Sequence, residues 1–341
     1  MPGSSPLWIS EADVVAMMDI REAIDALELG LLAEAHNEAR NMVKTHIEWG
    51  DGSTLHAIGA VFAQAGFAGT KTWTHTPGGA TPLLILFDAA TGALKAIVEA
   101  FALGQMRTGG ASGVATRWLA AEDAGELAMI GTGKQAITQV AAVLAVRPIR
   151  RVRVYGRDEK RREQFAKRVE TELGIEAVAA DTIGQALKDA PIVTVATRAT
   201  EPIIVADMCA RGTHINAIGA IVPSRAEIAA DVLARSSQIV ADSIPQAQKL
   251  SRELIAFFGP DPSKWERVQS LAALVAARRP RSPSDDLTLF KALGIGISDL
   301  SLGIQLYRKA LASGIGRELP NPQKKSPRLR AMQPLNISTG A

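Results

Sequence analysis

Apolar residues recur at helical spacing through the first forty positions. Ile20, Ile24, Leu27 and Leu31 share one face, and Ser10 with Asp13 makes an N-terminal capping signature, so residues 10–40 are expected to be helical. The period then changes. Residues 42–60, "MVKTHIEWGDGSTLHAIGA", alternate, turn at Gly50-Asp51-Gly52-Ser53 and run back, which predicts a hairpin. "FAGTKTWTH" reads as a further strand, and "PLLILFDAATGALKAIVEA" as a second hairpin turning at Asp88 to Gly92. The first part is therefore expected to be α+β with a mostly antiparallel sheet. Residues 101–121 return to a helical pattern.

From Glu126 the chain alternates between short apolar runs and helical patterns. Candidate strands are Leu127–Ile130, Val152–Tyr155, Ile175–Ala179, Ile192–Ala196, His214–Ile218 and Gln238–Ala241. Strands that are almost wholly apolar and separated by helices imply a parallel sheet covered on both faces. That block closes near residue 290, and "TLFKALGIGISDLSLGIQLYRKALAS" follows as one long helical pattern that crosses back. The expected fold is α/β: a Rossmann-type doubly wound parallel sheet over residues 122–291. It is inserted into an α+β domain made of residues 1–121 and 292–341. The cleft between them is the natural active site.

Composition narrows the classes. The chain has 341 residues, 47% of them hydrophobic, enough for two domains with their own cores. Its formal charge of +3 is weakly basic, and the basic residues are scattered apart from "QKKSPRLR", Gln323 to Arg330, read as a solvated tail. Aromatic residues are only 4%, too few for base-stacking platforms, so no nucleic-acid partner is expected. The single cysteine, Cys209, excludes a disulfide framework within the chain and fits a reducing compartment. The N-terminal stretch has no basic n-region or apolar h-region, and no apolar stretch approaches the roughly 20 residues of a membrane span, so a cytoplasmic protein without a membrane partner is expected.

In "MIGTGKQA" a glycine loop follows a strand and opens a helix. Gly131 makes the tight turn, and Gly133 lets backbone approach a pyrophosphate seated on helix N-terminal amides; Ala136 stands at the third, packing position. Thr132, Lys134 and Gln135 complete the expected cradle. The cofactor type is read after the second strand, at Gly156, Arg157 and Asp158. A guanidinium suits a 2′-phosphate and favours NADP. Asp158 keeps NAD open, or caps the next helix.

At this point the chain resembles the ornithine cyclodeaminase/mu-crystallin family, over residues 40–312. The segments that carry the resemblance are "GTKTWTHTPGG", "LGQMRTGGASGVATRWLA", "IGTGKQA", "VYGRD", "INAIGAIVPSRAEI" and "TLFKALGIGISDL". It implies a nicotinamide cofactor, homodimers through the substrate domain, and action on an amino acid or its imine. Arg40 and Arg107 match the family's carboxylate-binding arginines, and Lys71 its active-site lysine; an inward lysine in a strand is lowered in pKa by burial and suits proton transfer. By the same resemblance Thr108 meets the phosphates, Thr197 and Arg198 lie near the ribose, and Asn216, Ile218 and Gly219 flank the nicotinamide. Asp299 matches an acidic position near that pocket, or is a solvated helix charge.

Two positions depart from the cyclodeaminases. His56 stands where they carry a glutamate, and Ile221 replaces the aspartate of their Gly-Asp-x-Pro-Gly-Lys segment. His56 is a candidate donor or polar-group ligand, with His75 a weaker one; no metal-ligand spacing is present, and Ser53 and Ser112 have no base in context. An isoleucine cannot handle amino groups and water. The expected activity is therefore NAD(P)H-dependent reduction of a 2-imino acid, with Lys71 as proton donor and Arg40 and Arg107 on the carboxylate. The alternatives are redox-neutral cyclodeamination of ornithine or lysine, and a crystallin-like binding protein.

Overall fold

The computed structural model describes residues 5–50 and 52–329; Asp51 of the first hairpin turn, Arg330 of the basic tail and the end of the chain lie outside the described residues. Two sheets organise the chain. A nine-stranded mixed sheet is built from the N-terminal third with a short strand, Arg317–Glu318, from the C-terminal end; an eight-stranded, all-parallel sheet takes the middle.

The parallel sheet runs in the spatial order Glu176–Ala179, Arg151–Tyr155, Glu126–Ile130, Ile192–Val195, His214–Ala217, Leu287–Lys291, Ser236–Ala241, Val268–Ser270. Its first five strands follow the doubly wound 3-2-1-4-5 order, which reverses between Glu126–Ile130 and Ile192–Val195; the sixth, Leu287–Lys291, comes last in the chain yet lies between His214–Ala217 and Ser236–Ala241. Alternate side chains serve opposite faces. Leu127, Met129, Val152 and Val154 pack under the helices Ala136–Leu144 and Glu159–Leu173. Ala128, Ile130, Val193, Val195 and Ile215 pack under the helices on the other side.

In the mixed sheet, Thr45–Trp49, Ser53–Phe62, Phe67–Thr76, Leu83–Asp88 and Leu94–Glu99 form an antiparallel meander, as the alternation predicted. The helices Ile20–Ala35, Phe101–Leu119 and Gly296–Ser313 share one apolar core with this sheet and with residues of the parallel one.

The structure departs from the sequence reading in several places. The helix expected over residues 10–40 is two helices, Glu11–Met17 and Ile20–Ala35, each opened by a capping box, at Ser10 and at Asp19. It ends before Asn37, at φ 61°, and Arg40 lies in a strand, Ala39–Asn41. A second N-terminal signal inside an amphipathic run reads as polar surface until it caps. The pattern from Thr288 is not one helix either. Leu287–Lys291 is a wholly buried strand of the parallel sheet, and the helix begins only at Gly296. Gly294, at φ +88°, turns the chain between them. Short strands at Leu7–Ile9, Gly79–Ala80 and Val268–Ser270 escaped the pattern altogether. Among the described residues no helix is long and apolar enough to cross a membrane.

The returning helix meets the mixed sheet backbone to backbone. A Cβ on Gly296 would lie 1.9 Å from the Gly59 carbonyl oxygen. Gly296→Ala is expected to lower stability by about 3 kcal/mol, because backbone cannot yield as a side chain does. Gly184→Ala is the control: its nearest neighbour is Thr182 Oγ1 at 3.9 Å within an exposed helix, and a change of about 0.5 kcal/mol towards greater stability is expected. Urea denaturation of both variants checks this; equal midpoints would contradict the close-approach argument.

Candidate active site

Lys71 sits in the middle of Phe67–Thr76, directly opposite Ile58, on the face covered by the returning helix. It is 3% exposed, and its ammonium is ion-paired and hydrogen-bonded to Asp299, which is wholly buried near the start of that helix. The reading of Asp299 as a solvated helix charge is overturned. Arg107, in Phe101–Leu119, brings its Nε to 3.4 Å from the same Asp299 oxygen, Oδ1. Among the described residues, Asp299 Oδ2 and Arg107 Nε have no hydrogen-bond partner. Burial pushes Lys71 down to about 8; Asp299 opposes this, while Arg107 and Lys44 reinforce it. The ammonium also lies 5.1 Å from the Trp73 ring centroid.

Lys44 and Asp242 extend the cluster, and neither was singled out from the sequence. Lys44 follows Ala39–Asn41 and is half-buried; burial and the Arg107 charge lower its pKa, and Asp242 and Asp299 oppose them. Asp242, just after the strand Ser236–Ala241, is 4% exposed and accepts the amides of Leu293, at 3.0 and 2.9 Å, and Gly294, at 2.6 Å. A side chain on Gly294 would strike the Arg107 guanidinium, 2.8 Å from its Cβ position. Asp242 thus fixes the backbone against which Arg107 rests. Asn41 joins two neighbours: it donates to Glu34 at 2.7 Å and accepts the Ile297 amide at 2.9 Å. Glu34 is pushed up to about 7, chiefly by burial, partly offset by the Asn41 hydrogen bond.

Arg40 does not reach this cluster within the protomer. It pairs with Val61, three residues along from Ile58, so it points to the opposite face of the sheet from Lys71, and it is exposed. His56 shares the Lys71 face and stacks between His46 and Trp73, with centroids 5.5 and 4.6 Å away. Its Nε2 meets Thr54 Oγ1 at 2.8 Å, and its buried Nδ1 has no partner among the described residues. Burial, with Lys44, His46 and His75 nearby, pushes it down to about 4, so the ring is neutral near pH 7. His75 is exposed.

The carboxyl edge of the parallel sheet meets the requirements of a dinucleotide. Gly131 adopts φ +110°, and a Cβ there would stand 2.4 Å from the Ala196 carbonyl oxygen, so only glycine makes this turn. Gly133 faces open space, with nothing within 4 Å of its Cβ position. The following helix, Ala136–Leu144, has Gln135 at its N-cap and no side-chain capping bond; its Ala136 amide donates to the Gly133 carbonyl at 3.0 Å, and the amides of Ile137 and Thr138 remain for a pyrophosphate. Thr132 and Lys134 flank these amides, and Gly156 leaves room for Thr132, whose Cγ2 is 3.1 Å from the Cβ position. Arg157 is exposed beside the loop, while Asp158 caps Glu159–Leu173 by accepting the Arg161 amide at 2.9 Å. Of the remaining candidates, Ile218 and Gly219 follow His214–Ala217, Thr197 follows Ile192–Val195, and Arg198 is exposed. Thr108 donates to the Gly104 carbonyl at 2.8 Å. Asn216 turns the other way: its amide donates to Thr116 at 3.0 Å and its oxygen meets His214, inside the core beneath Phe101–Leu119. Its side chain serves the sheet–helix contact rather than the cleft.

The sequence reading also passed over Glu227, in "SRAEI". Wholly buried, it accepts four hydrogen bonds from the loops around Thr197 and Gly219. An acidic residue between apolar neighbours was the available signal.

The family model for the ornithine cyclodeaminase/mu-crystallin family matches residues 6–314. The Delta(1)-pyrroline-2-carboxylate reductase of Bacillus cereus is 30% identical over 239 residues, covering 70% of this chain and 73% of that protein. Among solved structures, the Thermococcus litoralis Delta(1)-pyrroline-2-carboxylate reductase in complex with NADH and L-proline superposes with a TM-score of 0.84 at 29% identity, over 92% of this chain and all (100%) of that one. An archaeal alanine dehydrogenase dimer with bound NAD gives 0.83 at 27% identity, over 93% and 99%. With its doubly wound sheet, glycine turn and inward lysine, the chain belongs to the ornithine cyclodeaminase/mu-crystallin family.

Proposed function

We propose that this protein is an NAD(P)H-dependent reductase of a 2-imino acid, a ketimine or imine reductase or amino-acid dehydrogenase. The observation that carries the reading is the buried Lys71–Asp299–Arg107 cluster beneath the carboxyl edge of the parallel sheet. When bound at that edge, the reduced nicotinamide supplies hydride to the imine carbon. Gly131, Thr132, Gly133, Lys134 and Gln135 hold the pyrophosphate, and Thr197, Arg198, Ile218 and Gly219 line the nicotinamide side. Arg107 and Lys44 take the α-carboxylate; the Arg107 side chain stays 19% exposed. Lys71 gives its proton to the imine nitrogen, and Asp299 holds the ammonium in place. In the reverse direction neutral Lys71 takes that proton back. Arg40, on the far face, is left out of the clamp. The names of the relatives support this reading, and so does the Gly219–Arg225 segment, which carries no carboxylate and has Ile221 at the position where cyclodeaminases have aspartate.

Residues 122–291 then act as the nucleotide half, and residues 1–121 with 292–341 as the substrate and dimerisation half. A homodimer fits the outer face of the mixed sheet, where Ile47 and Leu55 pair in register and remain 63% and 43% exposed.

Lys71→Met is expected to lower reductive kcat by about 10²–10⁴-fold while cofactor binding survives. In the wild type, reductive kcat/KM should be flat below about pH 8 and fall tenfold per unit above it, because Lys71 at about 8 must carry its proton. Oxidation of the amino acid should show the mirror limb, rising through the same pH. Asp299→Asn removes the attraction that holds the proton, so the reductive limb should move about 1–2 units to lower pH. Rate profiles with NADH or NADPH and a panel of cyclic and acyclic 2-imino acids test this. A limb unmoved by Asp299→Asn would remove Lys71 as the donor, and cofactor-neutral release of ammonia from ornithine would replace the reductase reading with the cyclodeaminase one. Arg157→Ser is expected to raise the KM for NADPH at least tenfold and change that for NADH less than threefold; equal effects would detach Arg157 from the 2′-phosphate.

A further inference from the structure

We propose that Glu227 is a positioning residue that sets the nicotinamide half of the cleft, acting through the ends of three adjacent strands; the inference rests on the dinucleotide reading above. Both carboxylate oxygens are used. Oε1 accepts the Thr197 amide at 2.6 Å and its hydroxyl at 2.8 Å; Oε2 accepts the amides of Gly219 at 2.8 Å and Ala220 at 3.0 Å. Thr197 follows Ile192–Val195, and Gly219 follows the neighbouring strand His214–Ala217. One side chain therefore clamps two strand ends at the edge where a dinucleotide lies.

The third strand is reached through the Glu227 backbone. Its amide donates to Glu253 Oε1 at 2.8 Å, and Glu253 holds Lys291, the last residue of Leu287–Lys291, with Nζ to Oε2 at 2.9 Å. The Ser251 hydroxyl donates to the same carboxylate at 3.0 Å. Glu227, Glu253 and Lys291 are 0%, 7% and 1% exposed. Burying three ionisable groups to close one loop is a costly solution where apolar packing would serve. The arrangement is explained if the loop must be held at a set height against a ligand, not merely packed.

Backbone contacts fix that height. A Cβ on Gly219 would lie 2.2 Å from the Thr197 carbonyl oxygen and 2.5 Å from Glu227 Oε1, and Gly131 packs the same way on Ala196. The three strands Ile192–Val195, His214–Ala217 and Leu287–Lys291 lie beyond the crossover, on the side whose edge would face the nicotinamide on the dinucleotide reading. The adenosine half, from Glu126–Ile130 to Glu176–Ala179, is not bonded to Glu227. The network should therefore govern one half of the ligand and spare the other.

The test is a binding titration that needs no substrate. NADH and NADPH are each compared with the same molecule lacking nicotinamide, ADP-ribose and its 2′-phosphate, by calorimetry on wild type, Glu227→Gln and Glu253→Gln. In Glu227→Gln the amide nitrogen faces donors it cannot satisfy. The dissociation constant for the better reduced cofactor should rise at least tenfold, and that of its truncated partner less than twofold. Glu253→Gln, which leaves the four Glu227 bonds in place, should shift in the same direction by a smaller factor, and serves alone if Glu227→Gln does not fold. Equal weakening of full and truncated ligands, or no weakening of either, overturns the assignment. Wild-type protein that binds none of the four overturns both this inference and the dinucleotide reading, whereas wild-type binding with unaffected variants overturns this inference alone.

Discussion

The pairing of Lys71 with Asp299 is the constraint that organises the site. A lysine in the middle of a sheet and an aspartate on the inner side of a helix are each costly to bury, and neither is tolerable without the other. The pair demands that the helix Gly296–Ser313 lie almost in contact with the strands. A seam of glycines supplies the space: Gly296 rests on the Gly59 carbonyl, Gly59 on that of Gly69, and Gly69 on that of Ile85. Asp299 also sits in the first turn, where the helix dipole favours a negative charge. Such a pair adds little to stability compared with apolar packing of the same volume. Its presence is better explained by what a half-neutralised ammonium can do.

The same device recurs on the parallel sheet. Asp242 and Glu227 are buried carboxylates whose partners are loop amides beyond strand ends, Leu293 and Gly294 for one, Thr197, Gly219 and Ala220 for the other. Loops at a carboxyl edge carry amides that no ladder satisfies, and a buried acceptor turns them into fixed geometry. Asp242 couples the two halves of the chain, because the Gly294 backbone it holds is the surface on which Arg107 rests.

The fold was legible wherever a period was long enough to repeat. The hairpins, the glycine turn and most strands of the parallel sheet followed from alternation or from apolar runs between helical stretches. Leu287–Lys291 was not legible, because a buried five-residue run joined to an amphipathic helix has no period of its own. Its punctuation, Gly294 and Gly296, was present but reads equally well as a tolerated helix glycine. In the site, Lys71, Arg107 and Asp299 were visible through motif context, yet their mutual contact spans 228 residues of chain between Lys71 and Asp299 and belongs to the tertiary fold alone. Arg40 shows the opposite limit: its residue type suited a carboxylate, but a strand's parity decides which face it serves, and that parity was hidden while the segment read as helix. Lys44 carries no motif signal, and Glu227 only that of an acid between apolar neighbours; the buried surroundings single them out.

The charge of the site narrows what it can hold. Three cations, Lys44, Lys71 and Arg107, converge on two carboxylates, Asp242 and Asp299, while Glu34, at about 7, contributes only a fraction of a negative charge near neutral pH. Asp242 is already engaged by two backbone amides, so Asp299 alone answers the lysine and the arginine through one oxygen. The excess is positive and lies next to the one guanidinium that keeps side-chain exposure in this cluster. On the function proposed above, a single ligand carboxylate restores balance there and leaves the Lys71–Asp299 pair to the proton. On the same reading, a substrate without that carboxylate would leave Arg107 and Lys44 to repel each other in a partly desolvated pocket, so the charge count itself favours an acid before any shape is considered.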